Sequence, residues 1–376
     1  MKRHELPTPC FLVDEAALKH NLEILASVQK RTGVKILLAQ KAFSMFRVYP
    51  LIAEYLSGAC ASGLFEARLA HEYMGGENHV FSPAYTPDEM QELVTICDHV
   101  VFNSFSQLEL HRAVCQAAGV SYGIRVNPEC STQEGHAIYD PCSPFSRLGV
   151  THANFRPDLL DGVEGLHFHT LCEQDSSDLV QTFESFERDF GEYLPQMKWL
   201  NLGGGHHITR EDYDIYALDE ILYYIRAKYP NLTIYLEPGE AIALNAGWLD
   251  TTVLDIVENG MPILILDASA ACHMPDVLEM PYRPPLVDGG EPNEKAVTCR
   301  LAARTCLAGD VIGDYSFDRM PEVGERLTFG DMAIYSMVKT NTFNGMPLPA
   351  IVLLHEDGDC ELVKTFGYED FKGRLS

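Results

Sequence analysis

Asn201-Leu202-Gly203-Gly204-Gly205-His206 follows a short apolar run and precedes a polar, helix-like segment. By itself a triple glycine marks a tight turn. Ordering three glycines is entropically costly, so the run needs a reason. Backbone amides without side chains can approach and cradle a phosphate. The position of the run along the chain decides between the two readings. Apolar or β-branched runs recur at 35–40, 59–62, 79–82, 99–103, 121–127, 164–169, 199–203 and 233–237. Segments with helical apolar spacing separate several of them, at 48–56, 64–74, 88–97, 107–118, 179–193 and 213–228. Pro87-Asp88-Glu89 reads as a helix start, with acids at the positive end of the helix dipole. Eight strands alternating with helices predict a (β/α)8 TIM-like barrel of the α/β class. The glycines then follow the seventh strand, where such barrels commonly bind phosphate.

After Glu237 the texture changes. Strand-like runs at 251–257, 262–267, 297–302, 326–329, 334–338, 350–355 and 361–365 have turn residues between them and no long amphipathic helix. Residues 272–293, rich in proline and acids, read as loop or short helix. The predicted organisation is a barrel over residues 11–250 and a C-terminal β-rich domain over 251–376, joined by an N-terminal strand from 1–10.

Composition bounds the function. Of 376 residues, 46% are hydrophobic and 22% charged, which supports a sizeable core and argues against disorder. Acids outnumber basic residues 54 to 28, a formal charge of −26, which argues against nucleic acid and anionic membrane as partners. The same balance suits a cationic small substrate. The eleven cysteines lack CxxC pairs or zinc-like spacing, and the start of the chain has no apolar signal region. They read as reduced thiols of a cytoplasmic protein.

Catalytic groups of a barrel sit at the C-terminal ends of its strands. There the sequence places Lys41 after the first strand, Ser62 after the second, His167 and His169 at the sixth, Gly203, Gly204 and Gly205 after the seventh, and Glu237 after the eighth. A lysine amine can condense with an aldehyde. The glycines can hold a phosphate, a carboxylate can keep a pyridine nitrogen protonated, and a histidine can stack on a ring. Together these parts suit pyridoxal 5'-phosphate, with no resident metal. His167-Phe168-His169 also puts two imidazoles on one face of a strand, as a metal-dependent barrel hydrolase would, and that is the alternative reading.

With these residues the chain resembles the fold-type III, alanine-racemase-like decarboxylases that use pyridoxal phosphate, in their ornithine and diaminopimelate branch. The resemblance runs over nearly the whole length. It is carried by Thr8-Pro9-Cys10-Phe11-Leu12-Val13-Asp14, Lys41, Gly165-Leu166-His167-Phe168-His169, the glycine run and Glu237-Pro238-Gly239. In the second domain it is carried by Cys306-Leu307-Ala308-Gly309-Asp310, Gly330-Asp331-Met332-Ala333-Ile334-Tyr335 and Thr342-Phe343-Asn344-Gly345. The resemblance implies that Lys41 carries the cofactor, His169 stacks on its ring and Glu237 meets its nitrogen. It also implies that Tyr335 touches the phosphate and that Cys306, from the partner subunit, supplies a proton. Active sites at a homodimer interface follow from the same resemblance.

Three departures narrow the substrate. Glu240 stands where the larger family usually has arginine after Glu-Pro-Gly. Leu307 replaces the glutamate of the diaminopimelate branch. His169 is followed by Thr170-Leu171-Cys172 rather than the expected serine. A carboxylate at Glu240 favours a cationic group. Asp276 and Glu279 fall where the family reads the far end of its substrate, and Glu240 and Asp276 are assigned as amine receptors. The implied reaction is decarboxylation of carboxynorspermidine or carboxyspermidine to norspermidine or spermidine. The alternatives are another basic amino acid decarboxylase, acting on diaminopimelate, ornithine or lysine, and a non-catalytic polyamine-binding relative.

Overall fold

A computed structural model describes residues 1–134 and 137–376. The chain divides into two compact units, His20–Ile242 on one side and Met1–Lys19 with Ala243–Ser376 on the other.

In the first unit all eight anticipated strands form. They are Lys35–Ala39, Gly58–Ala61, Glu77–Phe81, His99–Phe102, Ser121–Asn127, Gly165–His167, Trp199–Asn201 and Thr233–Leu236. Each runs parallel to the next, and the eighth closes on the first through Tyr235↔Lys35 and Leu236↔Ile36. This is the expected (β/α)8 barrel. A short extra strand, Val150–Thr151, pairs with the fifth.

The helices between strands follow their sequence signals. The helix Pro87–Ile96 starts with a reciprocal cap, in which Glu89 N–H donates to Thr86 Oγ1 (3.3 Å) and Thr86 N–H to Glu89 Oε2 (2.9 Å). The helix Ser176–Phe190 buries Leu179, Phe183, Phe186 and Phe190, spaced as one helical face. Phe186 stacks on Phe168, with ring centroids 4.6 Å apart. Because side chains alternate along extended backbone, Phe168 turned out toward this helix places His167 and His169 on the inner face. Burying each phenylalanine of that stripe contributes about 2–3 kcal/mol.

Leu37, Val101, Trp199 and Tyr235, one from each of four barrel strands, pack together as a buried apolar cluster. Among them lies a polar cluster. Glu77 pairs with Lys35 and with His79 Nε2 (3.1 Å), and His79 stacks on His99 with centroids 4.0 Å apart.

The second unit is an eight-stranded mixed sheet. Its main path runs Val311–Phe317, Val297–Ala303, Pro262–Leu266, Gly247–Glu258, Cys10–Asp14, Ala350–Leu354 and Cys360–Lys364, with Arg326–Gly330 pairing Gly247–Glu258. The strand Cys10–Asp14 lies antiparallel to Gly247–Glu258 and parallel to Ala350–Leu354. Residues 11–19 therefore go with the sheet, and the barrel unit ends at Ile242 rather than at 250. The core gathers Phe11, Leu249, Leu264, Leu301, Tyr315 and Phe329.

Two sequence expectations fail here. The run 334–338 is not a strand. Asp331 and Tyr335 have φ of 51° and 50°, which breaks extended backbone, and the segment ends in the one-turn helix Met337–Lys339. Conversely Val311–Phe317 is a strand although its Gly313 and Asp314 weaken the apolar pattern. Residues 272–293 hold the short helices expected, including Asp276–Glu279. Among the described residues no helix is long and apolar enough to cross a membrane.

Candidate active site

The C-terminal ends of the barrel strands gather the predicted groups. Lys41 follows the first strand by two residues and its side chain is exposed. Its loop is pinned from both sides. Tyr49 OH donates to Gln40 Oε1 (3.0 Å), Ser44 Oγ to Gln40 O (2.5 Å), and Ala39 N–H to Pro238 O (3.2 Å). Gly239 lies so near Ala42 that an added Cβ would stand 2.6 Å from its methyl. The lysine loop and the Glu237-Pro238-Gly239 turn thus fit against each other. Lys41 is near enough to His167 and His169 that its charge, after burial, helps lower both their pKa values.

Glu237 leaves the eighth strand with both oxygens occupied. Oε1 accepts from Asn201 Nδ2 (2.7 Å) and Oε2 lies 3.3 Å from His167 Nε2. Burial alone would raise its pKa, but the His167 and Asn201 hydrogen bonds outweigh burial and hold it down at about 2. Burial lowers the pKa of His167, whose ring is 1% exposed. The pair is therefore a carboxylate and a neutral imidazole that donates from Nε2. Asn201 also ties this carboxylate to the glycine loop, since its Oδ1 accepts from Gly203 N–H (2.9 Å).

His169 is half-buried and keeps part of its ring open. Its Nδ1 accepts from Gly204 N–H (2.8 Å), which leaves the ring proton on Nε2. Burial first, then Lys41 and Arg125, hold the ring neutral. Arg125 is a feature the sequence reading passed over. Its guanidinium is buried, lies 4.5 Å above the Phe81 ring, and donates to His169 O (3.2 Å). Burial brings its pKa down to about 10, so it remains a cation. The available signal was an arginine inside the otherwise apolar run Tyr122-Gly123-Ile124-Arg125-Val126.

The glycine loop is partly committed to the protein itself. The amides of Gly203 and Gly204 donate to Asn201 and His169, whereas among the described residues the Gly205 N–H meets no protein acceptor. An added Cβ at Gly204 would stand 2.3 Å from Glu237 O, so backbone proximity alone demands glycine there. The paired histidines do not converge as ligands. His167 Nε2 turns to Glu237 and His169 Nδ1 to Gly204. Glu240 opens the short helix Glu240–Ala243, with Oε1 3.8 Å from His207 Nε2.

The remaining predicted residues belong to the sheet unit. Tyr335 sits in left-handed backbone, φ 50°. Cys306 is exposed, and its thiol and backbone N–H both donate to Asn344 Oδ1, at 3.0 and 2.9 Å. Asp276 is bound by Lys339 Nζ, which also donates to Glu279 Oε2 (3.0 Å).

The barrel donor set fits a phosphorylated pyridine aldehyde. It offers an exposed primary amine, an anionic buried carboxylate for a ring nitrogen, an open imidazole face and one uncommitted loop amide. When bound, pyridoxal phosphate supplies the electron sink that lets a carboxylate leave from a neighbouring carbon.

Comparison with known proteins agrees with this geometry. The family profile described as pyridoxal-dependent decarboxylase, C-terminal sheet domain, matches residues 10–333. The chain is 43% identical to carboxyaminopropylagmatine decarboxylase of Synechocystis sp., over 98% of this chain and 96% of that one. It is 39% identical to carboxynorspermidine/carboxyspermidine decarboxylase of Campylobacter jejuni, over 98% and 99%. The crystal structure of Campylobacter jejuni carboxynorspermidine decarboxylase complexed with norspermidine superimposes with a TM-score of 0.92 at 38% identity, covering 98% of this chain and all of that one. An enzyme with this barrel, this sheet and these matches belongs to the pyridoxal-dependent decarboxylase family.

Proposed function

We propose that the enzyme decarboxylates carboxynorspermidine, carboxyspermidine or both, yielding norspermidine or spermidine in polyamine biosynthesis. The observation that carries this reading is the full-length likeness to a decarboxylase whose structure holds norspermidine. The chain's own departures support it, because Glu240 and Asp276 are carboxylates suited to amine groups.

In this reading Lys41 holds the cofactor aldehyde and later releases product. Glu237 keeps the ring nitrogen protonated, its charge fixed by the Asn201 and His167 donors. His169 lies on the ring face. The Gly205 amide and Tyr335 receive the phosphate, with Gly203 and Gly204 shaping the loop. Cys306, contributed by the partner subunit of a homodimer, delivers the proton that replaces carbon dioxide. The eleven free thiols suit a reducing, cytoplasmic setting.

A second reading follows from the Synechocystis relative. Its name implies a substrate ending in an agmatine guanidinium rather than an amine. The paired acids Asp276 and Glu279 would also suit a guanidinium, which binds carboxylates in a fork. The two tails differ in hydrogen-bond geometry, so kinetics separate them. Carbon dioxide release should be measured on carboxynorspermidine, carboxyspermidine, carboxyaminopropylagmatine, diaminopimelate, ornithine and lysine. A highest kcat/KM for a carboxylated triamine supports the first reading, and one for carboxyaminopropylagmatine supports the second. Turnover of diaminopimelate, ornithine or lysine alone refutes both.

A further inference from the structure

Asp276 and Glu279 stand three residues apart on the one-turn helix Asp276–Glu279, so their carboxylates share a face. Lys339 ends the one-turn helix Met337–Lys339 and places its ammonium against both acids. The contact to Asp276 is the shorter, and that to Glu279 is 3.0 Å. The arrangement is graded in exposure. The Asp276 side chain is 17% exposed, Lys339 31% and Glu279 51%. Two acids thus share one lysine. An anion as sheltered as Asp276 needs a cation beside it, and here the chain supplies its own.

We infer that Lys339 is a built-in occupant of the subsite for the substrate's distal cation, and that the substrate tail takes Asp276 by displacing it. The inference rests on the proposed assignment of Asp276 as an amine receptor. What the structure adds is that this acid pair already receives a primary ammonium, the group that ends a polyamine. Lysine suits such a role, because its ammonium is a point charge on a flexible four-carbon stem that can swing into solvent without moving backbone. A tail without a positive end has nothing to offer in exchange, so the resident lysine discriminates against it. A cationic tail replaces one ammonium with another, and its affinity is reduced by the competition.

The test is equilibrium binding of norspermidine and agmatine to the cofactor-loaded enzyme by calorimetry, in wild type, Lys339→Met and Lys339→Arg, with thermal midpoints to verify folding. Removing the competitor should tighten norspermidine binding about tenfold in Lys339→Met and lower KM for the turned-over triamine in parallel, while Lys339→Arg stays near wild type. A Lys339→Met variant that folds but binds norspermidine equally or more weakly overturns the inference, since Lys339 then serves the helix and not the subsite. Agmatine responding in place of norspermidine also overturns the amine form of the proposal. Failure of the functional reading is separate, and shows as wild-type enzyme that releases no carbon dioxide from any carboxylated triamine.

Discussion

Replacing Glu237 with glutamine changes one atom and should damage both stability and turnover. The Glu237 pKa falls from 4.5 to about 2, so the surroundings favour the anion by roughly 3 kcal/mol. Because burial keeps His167 neutral, it and Asn201 favour the anion through hydrogen bonds alone, which supply about 2 kcal/mol of that preference. Glutamine has a single acceptor oxygen, whereas two donors converge on this site, Asn201 Nδ2 and His167 Nε2. One donor must face the new NH2 group. His167 cannot escape by shifting its proton, because among the described residues its buried Nδ1 has no partner and would become an unpaired donor. An orphaned buried donor costs about 1–3 kcal/mol, which agrees with the figure from the pKa. For a chain of this size a loss of about 2 kcal/mol lowers the thermal midpoint by roughly 2–3 °C. Turnover should suffer separately. A hydrogen bond to a charged group contributes about 1.5–3 kcal/mol against about 0.5–1.5 for a neutral one, a difference of about 1–1.5 kcal/mol, so kcat at saturating cofactor should fall roughly fivefold to tenfold. Calorimetry and carbon dioxide release on the same preparation check both numbers. A Glu237→Gln enzyme melting within about 1 °C of wild type and turning over within about twofold would refute the reasoning.

Lys41→Ala should leave stability within about 0.5 kcal/mol, because the side chain is exposed, yet abolish turnover and covalent cofactor attachment. Borohydride reduction followed by mass spectrometry reads the attachment, and a variant still labelled by cofactor sinks the assignment. Gly204→Ala places a Cβ 2.3 Å from Glu237 O, so backbone must move at a cost of about 1–3 kcal/mol, and cofactor affinity should fall with the thermal midpoint. Wild-type values for both contradict the close approach. Burial lowers the pKa of His99 to about 3 and those of His206, His207 and His273 to about 4. The unfolded chain takes these protons near pH 6.5 and the folded chain refuses them, so stability is lost as pH falls below 6.5. The slope is about 1.4 kcal/mol per pH unit for each ring, or about 5 for the four together. Glu77 and Glu237, held at about 2, add to the loss only below pH 4.5. Thermal midpoints should therefore fall steeply between pH 6.5 and 5, and a flat profile there means that these rings are not held neutral.

What the sequence shows and what it hides divide along a physical line. The barrel strands were legible because most are buried on both faces and read as short apolar runs bounded by turns, and a closed barrel allows one neighbour order for eight such runs, which carries even the polar Glu77–Phe81. The strand-end groups followed from that order, since Lys41, His169 and Glu237 are each within two residues of a strand end. The sheet unit is less legible. Its strands are half-exposed and non-local, so Ile334 to Val338 read as a strand until two left-handed residues broke it, and Val311–Phe317 was hidden by a glycine and an aspartate. Partnership is the level that pattern cannot reach. Asn201 reads as a polar strand end, yet it holds both Glu237 and the glycine loop. Lys339 lies sixty-three residues from Asp276 in sequence, and no spacing announces the pair. A sequence read alone makes Asp276 a free acid waiting for an amine. Folded, it already holds one in Lys339, and on the proposed assignment of Asp276 substrate choice turns on how well a tail competes with a lysine of the same chain.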